Sequence, residues 1–193
     1  LERDIAAGRY SIALKFFLDQ GRFVDAGALE EARGNFDSAA EFYERGGELG
    51  RAGEMYVANN EHGLAALVYR DAGLPEESAR SFMFDEQYEL ALPLFESVGD
   101  YLKVAECWER LERPEDAAAA YERGAAYGRA ATIWMERGET ARAAQLFRRG
   151  GENRKAAQAF WRSGDVEQAA QSLRDAREWV TLGRLWAEND ETS

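Results

Sequence analysis

The sequence predicts an all-α fold, an α-solenoid of about fourteen short antiparallel helices paired into seven 26-residue hairpins. Three observations carry this expectation. Glycine recurs every 13 residues along most of the chain. Between the glycines, apolar residues fall at repeat positions 3, 6, 7 and 10, which is the i, i+3, i+4, i+7 pattern of one helical face. Period-2 alternation, the mark of a half-buried strand, is absent.

With Gly8 as position 1 of the first repeat, the series continues Gly21, Gly34, Gly47, Asn60, Gly73, Glu86, Gly99, Glu112, Ala125, Gly138, Gly151, Gly164 and Arg177, without insertion or deletion. The first repeat supplies Tyr10, Ala13, Leu14 and Phe17 as its inward face, and the second supplies Phe23, Ala26 and Gly27. The second breaks the pattern at position 10 with Glu30, which is expected to lie near an end or exposed, so that leucine there would be neutral or stabilising. The third carries Phe36, Ala39, Ala40 and Tyr43, the fourth Ala52, Gly53 and Tyr56, and the fifth His62, Ala65, Ala66 and Tyr69. The sixth opens on Pro75 and continues with Ser78, Ala79 and Phe82. The seventh holds Tyr88, Ala91, Leu92 and Phe95, with Pro93 inside, where a missing N–H is expected to kink the axis. The eighth places Tyr101, Val104, Ala105 and Trp108, and the ninth opens on Pro114 before Ala117, Ala118 and Tyr121. Paired alanines and a ring close the next three: Ala130, Ala131 and Trp134; Ala143, Ala144 and Phe147; Ala156, Ala157 and Phe160. Ala169, Ala170 and Leu173 serve the thirteenth, and Trp179, Leu182, Gly183 and Trp186 the fourteenth.

Each glycine can take the left-handed conformation that stops a helix. Pro75 and Pro114 fall early in their helices, where a lost N–H costs little. Asn35, Asp100 and Asp165 stand where a side-chain oxygen can cap. Breaks are therefore expected near Gly21, Gly34, Gly47, Gly73, Gly99, Gly138, Gly151 and Gly164. Helices of about 10 residues are too short to persist alone in water, so each must be held by its neighbours, with small residues at 6 and 7 allowing close approach. At about 8–10 Å between axes, seven hairpins would span roughly 60–70 Å. Contacts between neighbours alone predict a single helical repeat domain over residues 1–193, one cooperative rod, and the non-methionine start predicts a piece of a longer protein.

Composition removes most enzyme classes. A single histidine excludes the usual multi-histidine metal sites, and a single cysteine builds neither an internal disulfide nor a zinc site. No Ser-His-Asp set exists, and the glycine-rich run around Gly46, Gly47 and Gly50 lacks phosphate-loop spacing. His62 is expected to be a packed ring at a helix start, and Cys107 a small hydrophobe. No catalytic residue, cofactor or metal ligand is expected, and no enzymatic activity. The net charge of −12 disfavours nucleic acid and anionic lipid as partners. Residues 1–97 carry 9 bases and 19 acids, whereas residues 137–162 carry 7 bases and 2 acids.

The stretch from Gly34 to Arg45, with Phe36, Ala39, Ala40 and Tyr43, and that from Gly138 to Phe147, with Ala143 and Ala144, resemble the tetratricopeptide-like (TPR-like) superfamily in its short-helix variants of trafficking and scaffold proteins. The resemblance covers about residues 8–189. Its period departs from the family's, at 26 residues per pair rather than 34, and the tryptophan-leucine-glycine opening is missing. What the resemblance implies is a right-handed superhelix whose faces bind other proteins, with no ligand-clamping residue to carry over.

Positions 5, 8 and 12 face away from the repeat's core and are mostly charged or small. Leu64, Leu67, Phe84, Leu90 and Pro93 break that rule, all within repeats five to seven, and Ile12 does so near the start. Local repacking around Pro93 would account for them; an exposed apolar patch would instead mark a binding surface. The expected function is a protein-interaction scaffold or adaptor in the cytoplasm that docks a partner protein on Leu64, Leu67, Phe84 and Leu90. The acids around them suit a basic or amphipathic helical segment, or a second copy of the chain. Arg129 and Lys155, at position 5 of even repeats, are the second candidate surface. The alternative function is a regulatory or sensor arm of a larger signalling enzyme or ATPase.

Overall fold

A computed structural model describes the backbone of residues 2–178, 180, 181, 183 and 184, and the side chains among these from residue 9 onward. The described residues form α-helices and no strand: α1 (Glu2–Asp19), α2 (Phe23–Glu31), α3 (Phe36–Gly46), α4 (Leu49–Ala58), α5 (His62–Asp71), α6 (Pro75–Phe84), α7 (Tyr88–Val98), α8 (Tyr101–Arg110), α9 (Pro114–Arg123), α10 (Tyr127–Glu136), α11 (Thr140–Arg149), α12 (Asn153–Arg162) and α13 (Val166–Asp175). In the fourteenth repeat the described residues 180, 181, 183 and 184 are helical; Trp179, Leu182 and Trp186 lie outside the described residues. The chain divides into two compact units, residues 1–98 and 99–193. Within each, every helix packs on the next along the chain, from α1 to α7 and from α8 to α13. Each unit is a stretch of helical solenoid.

The turns explain the period. Position 1 takes positive φ in every repeat from Gly21 to Arg177, at eight glycines and at Asn60, Glu86, Glu112, Ala125 and Arg177. After α3, Gly47 N–H donates to Glu44 O at 3.0 Å and Glu48 N–H to Tyr43 O at 2.9 Å. This pair of bonds is the Schellman motif, which satisfies carbonyls that the helix end leaves open. The same pair recurs after α8, with Glu112 bonded to Glu109 O and Arg113 to Trp108 O. The turn thus requires a left-handed residue, and glycine is only its easiest occupant.

Gly8 does not follow the rule. α1 runs 18 residues, from Glu2 to Asp19, straight through it. A glycine weakens a helix interior by about 0.5–1 kcal/mol but does not by itself stop one. Pro75 and Pro114 begin their helices, and α7 continues through Pro93 to Val98. Asp100 caps the Lys103 N–H at 3.1 Å and Asp165 the Gln168 N–H at 3.0 Å. Asn35 does not cap α3; its amide instead donates to Glu30 at 2.6 Å.

The core is built from positions 6, 7 and 10. Ala39, Ala40, Ala65, Ala66, Ala130, Ala131, Ala143 and Ala144 have no exposed surface. Position 7 is small because the position-10 ring of the next helix lies on it. A Cβ on Gly27 would meet the Tyr43 ring at 2.9 Å, and one on Gly53 the Tyr69 ring at 2.6 Å. Glu30, expected exposed or terminal, is 4% exposed. It accepts hydrogen bonds from the Tyr10 hydroxyl and the Asn35 amide. Its charge is tolerated because donors from both sides of α2 meet it.

Three outcomes test this account. Ala125→Gly relieves a left-handed alanine at φ 56° and should raise stability by about 0.5–1 kcal/mol in urea unfolding. Glu30→Leu should lower stability by about 1 kcal/mol, since it strips the partner from two donors; an unchanged melting temperature would show those bonds to be idle. Trp134→Ala, at a ring 8% exposed, should cost about 3–5 kcal/mol, and wild-type melting would overturn the face assignment.

Candidate docking surface

The rings at position 10 organise the surface as well as the core. In α3, the Tyr43 hydroxyl donates to Glu31 of α2 at 2.5 Å. Arg51 of α4 lies over the same ring, 4.1 Å from its centroid, and pairs with Glu31 at 2.7 Å. The three residues are spaced i, i+12 and i+20. The arrangement returns in the second unit: Trp134 Nε1 donates to Glu122 at 3.0 Å, while Arg142 stacks at 3.8 Å and pairs with Glu122 at 2.7 Å. It returns again where Tyr121 is bonded by both Arg129 and Glu109. α11 to α13 carry an inverted version, with Arg148 over the Phe160 ring and bonded to Gln168. Burial and the neighbouring glutamates hold the Tyr43 and Tyr56 phenols well above the ordinary tyrosine range.

A second staple links position 3 of one helix to position 12 of the next. Arg45 lies 4.0 Å over Phe23, Arg123 4.0 Å over Tyr101, and Arg149 4.4 Å over Tyr127. Such cation–π contacts tie the start of one antiparallel helix to the end of its neighbour.

These two patterns show where the predicted residues stand. Leu64 and Leu90 occupy position 5, the place of Arg51 and Arg142, and are 48% and 50% exposed. Leu67 is 39% and Phe84 72% exposed. Phe84 fills the place of Arg45 and Arg123, and its ring stacks on His62 at 5.2 Å between centroids. His62 is a half-buried ring at the start of α5, with Nε2 3.1 Å from Asn60 Oδ1. Pro93 is exposed on α7. Around the patch, Arg80 pairs with Glu76 and Arg70 with Asp71. Glu77, Glu86 and Glu89 have no basic partner among the described residues.

Arg129 and Lys155 come together in the second unit, on one open groove of about 430 Å³ with Gly128, Thr132 and Glu152. Both already have partners within the chain. Arg129 donates to Tyr121 at 3.4 Å, and Lys155 sits 2.5 Å from Glu152 and 5.4 Å from the Phe147 ring. Sequence reasoning missed the acids Glu31, Glu109 and Glu122; the signal lay in the i, i+12, i+20 spacing.

Cys107 is fully buried, and burial pushes its thiol up to about 11, which suppresses the reactive thiolate. Among the described residues no three His, Cys, Asp or Glu side chains gather as a metal site, and no helix is long and apolar enough to cross a membrane.

No family model matches the chain, and no curated protein matches it. Among solved structures it is similar to the crystal structure of BtubC (BKLC) from P. vanneervenii, at 17% sequence identity, covering 95% of this chain and 81% of that one with a TM-score of 0.22. At that score the likeness says nothing of function.

Proposed function

We propose that the chain is a protein-docking scaffold, a TPR-like right-handed solenoid that works in the cytoplasm and holds a basic amphipathic helix of a partner protein on α5–α7. The observation that carries this reading is the exposure of Leu64, Leu67, Phe84 and Leu90. At the places of Leu64 and Leu90 other repeats hold Arg51 and Arg142 over rings, and at the place of Phe84 another holds Arg45. An apolar centre inside a charged rim is the anatomy of a protein interface, and exposed aromatic anchors contribute most of its energy. The rim sets the partner's sign: Glu77, Glu86 and Glu89 meet no cation among the described residues, and residues 1–97 carry 9 bases against 19 acids. An acidic surface steers a basic segment and repels an acidic one. Helix-in-groove recognition then uses the partner's apolar face against the leucines.

The two leucines can be removed without inventing new packing. Leu64→Arg restores the Glu44–Tyr56–arginine spacing, and Leu90→Gln restores with Arg70 and Phe82 the arrangement of Arg148, Phe160 and Gln168. The double variant should fold with an unchanged or higher melting temperature. It should bind a fluorescein-labelled amphipathic leucine–lysine helix at least about tenfold more weakly than the parent in fluorescence anisotropy, a loss of about 1.4 kcal/mol. Equal affinity in a folded variant would place the docking surface elsewhere.

A further inference from the structure

Tyr69 stands apart from the other position-10 residues. The residue is 7% exposed, and among the described residues its hydroxyl meets no hydrogen-bond partner. Tyr43 donates to Glu31 and Tyr56 to Glu44 at 2.6 Å, while Tyr121 accepts from Arg129 at 3.4 Å. The reason is legible in the spacing. Twelve residues before Tyr69, where Glu31 and Glu44 stand relative to their tyrosines, the chain has Val57. Eight residues after it, where Arg51, Arg129, Arg142 and Lys155 lie over their rings, the chain has Glu77.

By the repeat's spacing this place is an acid–aromatic site with its cation missing. Glu54 of α4 and Glu77 of α6 approach the phenol from the two helices flanking α5, and with burial they raise its pKa. Neither acid has a basic partner among the described residues, because Arg51 pairs with Glu31 and Arg80 with Glu76. The ring is fixed from below by Gly53, where a Cβ would meet it at 2.6 Å.

We infer that Tyr69, Glu54 and Glu77 form a receptor for an arginine side chain carried by a partner polypeptide. This rests on the docking function proposed for the same unit and names a specific anchor within it. A guanidinium is planar, permanently charged and offers five donors. One N–H reaches the Tyr69 oxygen as Arg129 reaches Tyr121, and the remaining edges face the two carboxylates. A lysine ammonium offers the charge without the fork. The acidic excess of residues 1–97 favours approach of such a segment.

The test uses the whole chain and two fluorescein-labelled peptides of alternating alanine and arginine, one with every arginine replaced by neutral citrulline. Anisotropy should give at least about tenfold tighter binding of the arginine peptide, a ratio worth about 1.4 kcal/mol. Tyr69→Phe keeps the ring and should weaken it several-fold. Glu77→Arg supplies the cation from within; it should bring the arginine peptide down to the citrulline level and raise the melting temperature. Asp19→Arg makes the same change of charge on α1 and should leave binding near that of the parent. Equal binding of the two peptides, or equal losses in Glu77→Arg and Asp19→Arg, overturns the receptor as general charge attraction. A chain that ignores the arginine peptide yet holds the leucine–lysine helix overturns the receptor and leaves the docking surface standing.

Discussion

The left-handed residue between helices sets everything that follows in this chain. A backbone that turns to positive φ every 13 residues ends each helix after about three turns and sends the next one back beside it. Within each unit the Schellman bonds make that reversal the same from turn to turn, since the position-2 N–H returns to the position-10 carbonyl of the helix just ended. A fixed reversal gives a fixed register between antiparallel neighbours. A fixed register is what lets a ring at position 10 meet a small residue 16 positions earlier, as Tyr43 meets Gly27 and Tyr69 meets Gly53. Five of these turns use a non-glycine residue despite its steric cost. At the four other than Asn60, tertiary packing rather than local preference holds the reversal.

Register also distributes charge. The carbonyl end of one helix, the ring of the next and the start of the third converge, so an acid, an aromatic and a base from three helices can share one place. Each exposed ion pair contributes little alone. A guanidinium over a ring with its carboxylate beside it covers apolar edge, satisfies a buried phenol or indole and neutralises charge together. Glu31–Tyr43–Arg51 and Glu122–Trp134–Arg142 are complete in this sense. They leave little for a partner to gain at those positions.

Much of the fold was legible because its causes are local. Glycine spacing, the alanine pairs and prolines at helix starts act within one or two turns, so composition and period suffice to read them. Asp100 and Asp165 were legible as caps for the same reason. Asn35 was not, because its amide is drawn to Glu30, and Glu30 itself was misread because Tyr10 comes from the preceding helix. Gly8 lacks a terminating turn and was absorbed into α1. The candidate surface was legible by exclusion: Leu64, Leu67 and Leu90 stood at positions that a core of period 3.6 cannot use. What occupies those positions elsewhere depends on partners 12 and 20 residues away, which a helical wheel does not display. Phe84 gains its meaning only from His62 across the hairpin.

Departures from the triad occur along the chain, at Asp25, Ser38, Asp116 and Gln168 as well, but those of α5 to α7 are the ones that leave large apolar side chains exposed beside an acid unpaired among the described residues. From α5 to α7 the base positions read Leu64, Glu77 and Leu90, where α4 and α10 to α12 carry Arg51, Arg129, Arg142 and Lys155. The rings Tyr56, Tyr69 and Phe82 are still present beneath them. Keeping the ring while losing the cation removes a contact that the repeat can supply at no cost to its packing. By the repeat's spacing the places left by the cation are apolar at Tyr56 and Phe82 and acidic at Tyr69, two chemistries that the proposed basic amphipathic segment would meet with its leucines and its arginine. The same physics that closes the other repeats on themselves thus leaves this stretch open to a second polypeptide.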